Sequence, residues 1–337
     1  MELSTLWFLL IGVLFVGFVF LEGFDFGVGM ATRFLARNEL EKRVLINTIG
    51  PHWDANEVWL LTAGGAMFAA FPHWYATVFS GFYLPFVVLL LALIARGVAF
   101  EFRGKQETKQ WRTIWDLAIF LGSILPPFLL GVLFTCFIQG LPVDEHMNMH
   151  ANFFDIVNLY TVTGGLAFVL LTYMHGLMFI SLKTTGELRE NARNTALKMH
   201  LLSGMVVVLF TILTAFNTDA FSDKGWILIP VYSVAIILYL VLYPLLVKGK
   251  EGWSFTVTSL ILVLVTSSFF ITLFPNVVIS TIGDANNISI AEAASGNYSL
   301  GIMTIVALTM VPIVLGYTIW SYYIFRKRVS HNEHLEY

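Results

Sequence analysis

Long, mostly apolar runs alternate with short polar connections along this chain. A transmembrane helix needs about 20 predominantly apolar residues, and nine runs meet that requirement. The pattern predicts an all-α polytopic membrane protein in which residues 1–337 form one integral-membrane domain. The nine spans are predicted at residues 6–30, 52–71, 75–99, 114–138, 153–182, 199–217, 226–247, 253–274 and 299–325.

Charge distribution supports the span count and gives an orientation. Only 12% of the residues are charged, against about 25% in a soluble domain. Lys and Arg stay on the cytoplasmic side of short loops, and the predicted spans place 18 of the 19 basic residues on one side, with Lys224 alone on the other. The N-terminus is therefore predicted outside and the C-terminus in the cytoplasm.

Several local features refine this picture. No basic residue precedes the first apolar run, so the first span is expected to be retained rather than cleaved. Cys136 is the only cysteine, which excludes an intrachain disulfide, and it is interpreted as a packed apolar residue. Residues 33–50 predict a short amphipathic helix on the membrane surface. Pro126 and Pro127 predict a kink or unwound turn in the fourth span.

Glycines within the spans predict tight helix contacts, because close backbone approach replaces the missing hydrophobic force in lipid. They lie in spans one, two and five, and comprise Gly12, Gly17, Gly27, Gly29, Gly64, Gly65, Gly164 and Gly165.

Acidic residues at two helix ends are the main candidates for chemistry. Asp54 and Glu57 lie in the first two turns of the second span, after His52. Glu22 and Asp25 lie about 24 to 28 Å below the start of the first span, at a rise of 1.5 Å per residue, and so at a similar depth. Each pair has i, i+3 spacing and shares one helix face. We expect the four acids to converge if the two helices are neighbours.

Such a cluster predicts a proton or cation site. Carboxylates crowded in a low-dielectric site exchange protons near neutral pH, which isolated surface acids do not. His52 at the entrance is a candidate for passing protons between bulk water and the cluster. The alternative is structural: Asp54 and Glu57 complement the helix dipole, while Glu22 or Asp25 pairs with Arg33 or Arg43.

Tryptophan and histidine side chains are weaker candidates for a functional site than the four acids. Trp59 is predicted to pack against another helix. His175 lies within span five, and His52, His73 and His200 lie near span ends. No helix carries two histidines at a spacing that would hold two haems, so no metal or haem ligand is predicted in this chain.

The motifs, taken together, resemble subunit II of the cytochrome bd-type quinol oxidases. The resemblance covers nearly the whole chain, and the second of these motifs is specific. The matching segments are GFDFGVG at 23–29, PHWDANEVWL at 51–60, AGGAMFAA at 63–70, RGVAFEFR at 96–103, WRTIWD at 111–116, GS at 122–123 with PP at 126–127, TGEL at 185–188 and YTIW at 317–320.

The resemblance implies two four-helix bundles plus one helix, in a heterodimer with a subunit I that ligates haem b and haem d and binds quinol. It implies an oxidase of the bacterial cytoplasmic membrane that reduces oxygen to water with cytoplasmic protons. Subunit II would be a scaffold with a proton path and an oxygen path. The family's acidic positions fall on Asp25 and Asp54, and the tryptophan near its oxygen entrance falls on Trp59. Glu57 stands where relatives carry glutamine.

Two functional classes therefore compete. The first is an oxidase subunit without a complete redox centre of its own, whose partners are subunit I and membrane lipid. The resemblance leaves a small accessory subunit open, and no nucleic-acid partner is expected. The second is a cation- or proton-coupled secondary transporter, in which the four acids would bind the coupling ion.

Overall fold

Helices dominate the computed structural model, which describes residues 2–330. The strands within that range form one short hairpin, β1 (Asn276–Val278) and β2 (Ile288–Ser289). The helices are α1 (Leu3–Phe34), α2 (Glu39–Ile49), α3 (Trp53–Ala70), α4 (Pro72–Gly81), α5 (Tyr83–Phe102), α6 (Lys109–Gln139), α7 (Phe153–Ile156), α8 (Leu159–Lys183), α9 (Gly186–Asn217), α10 (Ala220–Val247), α11 (Glu251–Leu273), α12 (Ile290–Ala293) and α13 (Asn297–Ile324).

Eight helices of the described range are long and apolar enough to cross a membrane, which confirms the all-α polytopic fold class. They are α1, α5, α6, α8, α9, α10, α11 and α13. The predicted second span corresponds to α3, an 18-residue helix that carries Asp54 and Glu57 and is not among the eight. Its length of about 27 Å is close to the ~30 Å thickness of a bilayer core. The nine-span count and the orientation stay predictions.

Helix α8 lies at the centre of the fold, and 83% of its most apolar stretch is buried. It begins after Asn158, whose side chain accepts hydrogen bonds from the backbone N–H groups of Tyr160 and Thr161 (3.0 and 3.1 Å). Helix α1 packs against α3, α6, α8 and α11, while α5 packs on α6 and α10 on α11. Helix α13 stands apart, since only 6% of its most apolar stretch is buried.

The third span, predicted as one helix, is divided at Phe82 into α4 and α5. Helix α6 stays helical through Pro126 and Pro127, so of the two predicted alternatives the unwound turn is absent, and a kink of the helix axis stays a prediction. The turn before these prolines is held from both sides: Gly122 lies against the backbone of α5, and Ser123 lies against Gly29 of α1. These close contacts position the proline segment between two neighbouring helices.

The predicted surface helix exists as α2, but its apolar side chains do not rest on lipid. Val44 and Ile46 are buried inside the protein, with 1% and 2% of their surface exposed. Glu41, expected in water, is also buried and accepts a hydrogen bond from the backbone N–H of Arg37 at 2.7 Å. The helix is therefore part of the core, and pairing with the backbone offsets the cost of burying Glu41.

Most of the predicted glycine contacts are present. A Cβ atom on Gly27 would lie 2.3 Å from the carbonyl oxygen of Thr172, and one on Gly164 would lie 2.0 Å from Oγ1 of Thr135. Gly64 and Gly65 have open space around them among the described residues, so the prediction of a tight contact at these two glycines is not met within this chain. Cys136 is buried as predicted.

The connection that follows α6 and the connection that follows α11 are hydrogen-bonded to each other. Backbone hydrogen bonds link Leu141 to Ile279 and Thr281 (2.9 and 3.0 Å), and Ser280 Oγ donates to the carbonyl oxygen of Val143. In this connection a hydrogen bond from His150, together with backbone N–H groups, lowers the pKa of Asp144 to about 2. A carboxylate that accepts several hydrogen bonds favours its charged form.

Candidate proton site

Glu22 and Asp25 lie one turn apart on α1, and both side chains are completely buried. Isolated carboxylates in such a setting would be very costly, because burial removes their hydration. Their neighbours therefore decide what the site does.

Arg96 of α5 is the cation of the site. It is completely buried, donates a short hydrogen bond to Glu22 Oε1, and donates another to Glu57 Oε2 at 3.1 Å. Its guanidinium also lies 4.7 Å from the centre of the Phe26 ring. Glu22 thus pairs with Arg96, whereas the structural alternative drawn from the sequence names Arg33 or Arg43. Arg96 lies inside the predicted third span rather than in a connection between spans.

A second contact chain approaches Asp25 from α3 and α13. The Asn56 side-chain amide donates to Asp25 Oδ2 at 2.7 Å, and the Tyr322 hydroxyl donates to Asn56 Oδ1 at 2.8 Å. His52 stacks on Tyr322, with ring centres 4.1 Å apart and planes 7° apart. His52 is itself buried, with 3% of its surface exposed, so it lies behind Tyr322 rather than open to water in this chain.

Asp54 lies at the exposed edge of the cluster. Its side chain is exposed in the first turn of α3, where it complements the helix dipole. Glu57 points inward, with 20% of its side chain exposed, and Asp54 lies within electrostatic range of it. Three of the four predicted acids are therefore buried or partly buried together, and the fourth is exposed beside Glu57.

The cluster holds more negatively charged groups than positively charged ones. Glu22, Asp25 and Glu57 are three carboxylates, while Arg96 is the cation that the described residues place among them. Two excess negative charges inside a membrane bundle are costly unless protons or a further cation balance them. Glu22 Oε2 and Asp25 Oδ1 are buried and accept no hydrogen bond from a donor group of the described residues. The two carboxyl groups lie close enough for one to donate a hydrogen bond to the other if it carries a proton.

The remaining candidates are packed side chains. The Trp59 ring lies against α1 at Gly17, where a Cβ atom would come within 2.4 Å of it, so the packing prediction is confirmed. His175 is buried, with Nδ1 2.8 Å from Thr258 Oγ1 and Nε2 3.2 Å from the carbonyl oxygen of Phe20. Residues 2–330 contain no group of three or more His, Cys, Asp or Glu side chains that could hold a metal ion.

Fold and site together define an all-α multi-pass membrane protein with ionisable groups between its helices. The family model described as cytochrome bd terminal oxidase subunit II matches residues 3–325. The chain belongs to this family. It is therefore a terminal oxidase subunit of a haem-containing oxidoreductase complex with a subunit I, and this favours the oxidase over the transporter hypothesis.

Individual relatives agree with the family. The chain is 54% identical over 336 residues to the cytochrome bd ubiquinol oxidase subunit 2 of Bacillus subtilis (strain 168), covering 100% of this chain and 99% of the relative. It is 36% identical over 356 residues to the cytochrome bd-I ubiquinol oxidase subunit 2 of Escherichia coli (strain K12), covering 95% and 93%. A chain in the structure of bd oxidase from Geobacillus thermodenitrificans has the same fold, with a TM-score of 0.77, 16% identity, and coverage of 97% of this chain and 100% of that one.

Proposed function

We propose that this chain is the subunit of a quinol:oxygen oxidoreductase that ligates no haem, holds the haem-bearing subunit I, and supplies its protons. The observation that carries the proton role is the buried cluster of Glu22, Asp25, Glu57 and Arg96, whose carboxylates outnumber its cation. Relatives named ubiquinol oxidase subunits support a quinol as the electron donor. The bacterial origin of these relatives supports the cytoplasmic membrane as the location.

Protons reach Asp25 and Glu22 in this proposal from the end of α3, where Asp54 is exposed and Glu57 is half-buried. Asp54 collects protons from water, and Glu57 links it to the Arg96 ion pair. Asn56 orients Asp25 through one oxygen and leaves Oδ1 for the proton. Arg96 limits the negative charge that develops when a proton leaves the cluster.

Subunit I is proposed to cover α13 and the outer side of α3. Both are apolar and poorly covered within this chain: Leu61 and Phe68 of α3 are 58% and 60% exposed, and Trp320 of α13 is 58% exposed. Aromatic residues are favoured in the centres of protein interfaces. Trp59, on the same helix, borders this region and is the proposed contribution to an oxygen path.

The absence of haem ligands in this chain is testable by absorption spectroscopy. Both His175 nitrogens already have hydrogen-bond partners, which supports the proposal. We expect the complex purified through a tag on this chain to show b-type and d-type haem bands in a reduced-minus-oxidised spectrum. The chain expressed without subunit I should show none, and strong haem bands from that preparation would refute the assignment of all haems to the partner.

The proton role is tested by Asp25→Asn in the assembled complex. We expect quinol-driven oxygen consumption to fall by about one to two orders of magnitude, because an amide cannot accept and release the proton. Asp54→Asn should have a smaller effect, since water can reach Glu57 without it.

The control for Asp25→Asn is Glu101→Gln, which removes an exposed acid at the end of α5. Haem content is measured on every variant. A loss of oxygen consumption that merely parallels a loss of haem would mean that Asp25 serves assembly, and unchanged oxygen consumption with full haem content would contradict the proton role.

A further inference from the structure

A groove lies between α9 and α10, and none of the acidic cluster residues lines it. Its volume is about 550 Å³, and its lining is almost entirely apolar. Leu171 and Val265 form its floor, and Leu201, Val208 and Leu240 form its walls. These wall residues are 70%, 52% and 65% exposed, so the groove opens toward the hydrocarbon around the protein.

Polar groups interrupt the apolar lining at one level of the groove. The His200 ring stacks on Tyr239 with ring centres 4.4 Å apart, and the Tyr239 hydroxyl donates to the carbonyl oxygen of His200 at 2.5 Å. Gly204 makes room for Tyr239, since a Cβ atom there would lie 2.9 Å from its ring. The His200 and Tyr239 rings thus bring polar atoms into an otherwise apolar lining.

Three cations lie beyond the His200 end of the groove, near the turn between α10 and α11. Arg193 lies two turns before His200 on the same face of α9, and its guanidinium comes 2.7 Å from the position of a Cβ on Gly249. Lys248 and Lys250 flank Gly249. None of the three forms an ion pair within residues 2–330.

Acidic residues near these cations do not neutralise them. Glu251 is held by Arg189 and by Arg328, the latter at 2.8 Å. Glu190 borders the same polar depression as Arg193, and its side chain is exposed. The end of the groove therefore keeps a net positive charge.

The apolar part of the groove fits the hydrocarbon of one leaflet. Its lining along α9 runs from His200 to Ile212, and this separation of 12 residues spans about 18 Å at 1.5 Å per residue. Half of the ~30 Å hydrocarbon core of a bilayer is about 15 Å. An acyl chain would fill the apolar part while the headgroup reached the cations.

We propose that the α9–α10 groove is a binding site for an anionic phospholipid. The acyl chains lie between Leu201, Val208 and Leu240. The glycerol ester region lies at His200 and Tyr239. The phosphate is held by the cations Arg193, Lys248 and Lys250.

Binding of the phosphate by the three cations is tested with the variant R193Q/K248Q/K250Q in the complete oxidase complex. The measurement is the preference for spin-labelled phosphatidylglycerol over phosphatidylcholine, by electron paramagnetic resonance. Each basic residue near a membrane surface contributes an attraction worth about fivefold in affinity, so the preference should fall by on the order of a hundredfold. The matched variant R33Q/K105Q/K109Q removes three exposed cations that are not next to the groove, so it measures the nonspecific attraction and should lower the preference at least tenfold less.

The groove itself is tested by filling it. Val208→Trp should lower the number of phospholipids of both kinds retained by the complex in native mass spectrometry, whereas Ile229→Trp, at an equally exposed position of α10 outside the groove, should not. In the unaltered complex, about 1 M salt should abolish the phosphatidylglycerol preference, because the screening length falls to ~3 Å. A preference that survives both salt and the triple substitution would overturn the proposal, as would a retained molecule without a phosphate.

Discussion

Arg96→Met is expected to cost the protein about 3 to 5 kcal/mol of stability, because it leaves Glu22 and Glu57 facing each other without their buried cation. Arg96 is completely buried and pairs with both acids. In a complex of marginal stability a loss of this size removes most of the assembled protein. The measurements are the thermal midpoint of the purified complex and the yield of haem-containing complex from membranes.

A double substitution distinguishes a charge effect from a packing effect at Arg96. Arg96→Met combined with Glu22→Gln removes charge from both sides of the ion pair and should recover part of the lost midpoint. Arg33→Met, at an exposed position, should change stability by no more than about 0.5 kcal/mol. Equal midpoints for Arg96→Met and Arg33→Met would contradict the role of Arg96 described here.

Gly27→Ala is expected to separate α1 from α8 and to lower the stability by about 1 to 3 kcal/mol. The added Cβ atom would lie 2.3 Å from the Thr172 carbonyl oxygen and 2.6 Å from the Gly176 Cα atom. These are backbone atoms, so no side-chain rotation relieves the overlap. Native gel electrophoresis of the complex, together with its thermal midpoint, measures the effect.

Gly252→Ala is the matched control for the helix contact. Gly252 also lies within an apolar helix, α11, yet a Cβ atom there would meet open space. Because alanine has the higher helix propensity, this change should be neutral or slightly stabilising. If Gly27→Ala were as well tolerated as Gly252→Ala, close backbone approach could not be what holds α1 against α8.

The fold class could be predicted because hydrocarbon imposes a simple rule on composition, which long apolar runs satisfy. The break at Phe82 also had a usable signal, because Gly81 and Pro85 stand on either side of it. Details set by packing between helices could not be predicted, and the sequence gives no sign that α6 stays helical through Pro126 and Pro127. The burial of Val44 inside the protein likewise depends on helices outside its own segment.

The candidate site was predicted in part. Searching for ionisable residues found Glu22, Asp25 and Glu57, because acids inside apolar runs stand out. It missed Asn56 and Tyr322, since neutral polar residues carry no such signal. Arg96 had a usable signal, because an arginine within a predicted span needs a buried acid.

Tyr322 completes the environment of Asp25 although 266 residues separate it from Asn56. At 5–20 residues per second of translation, this separation corresponds to roughly 13 to 53 s. The first helix therefore waits in the membrane, with its acids incompletely surrounded, until the last described helix has been synthesised. A chaperone that shields incompletely packed membrane helices would bind this chain during that interval.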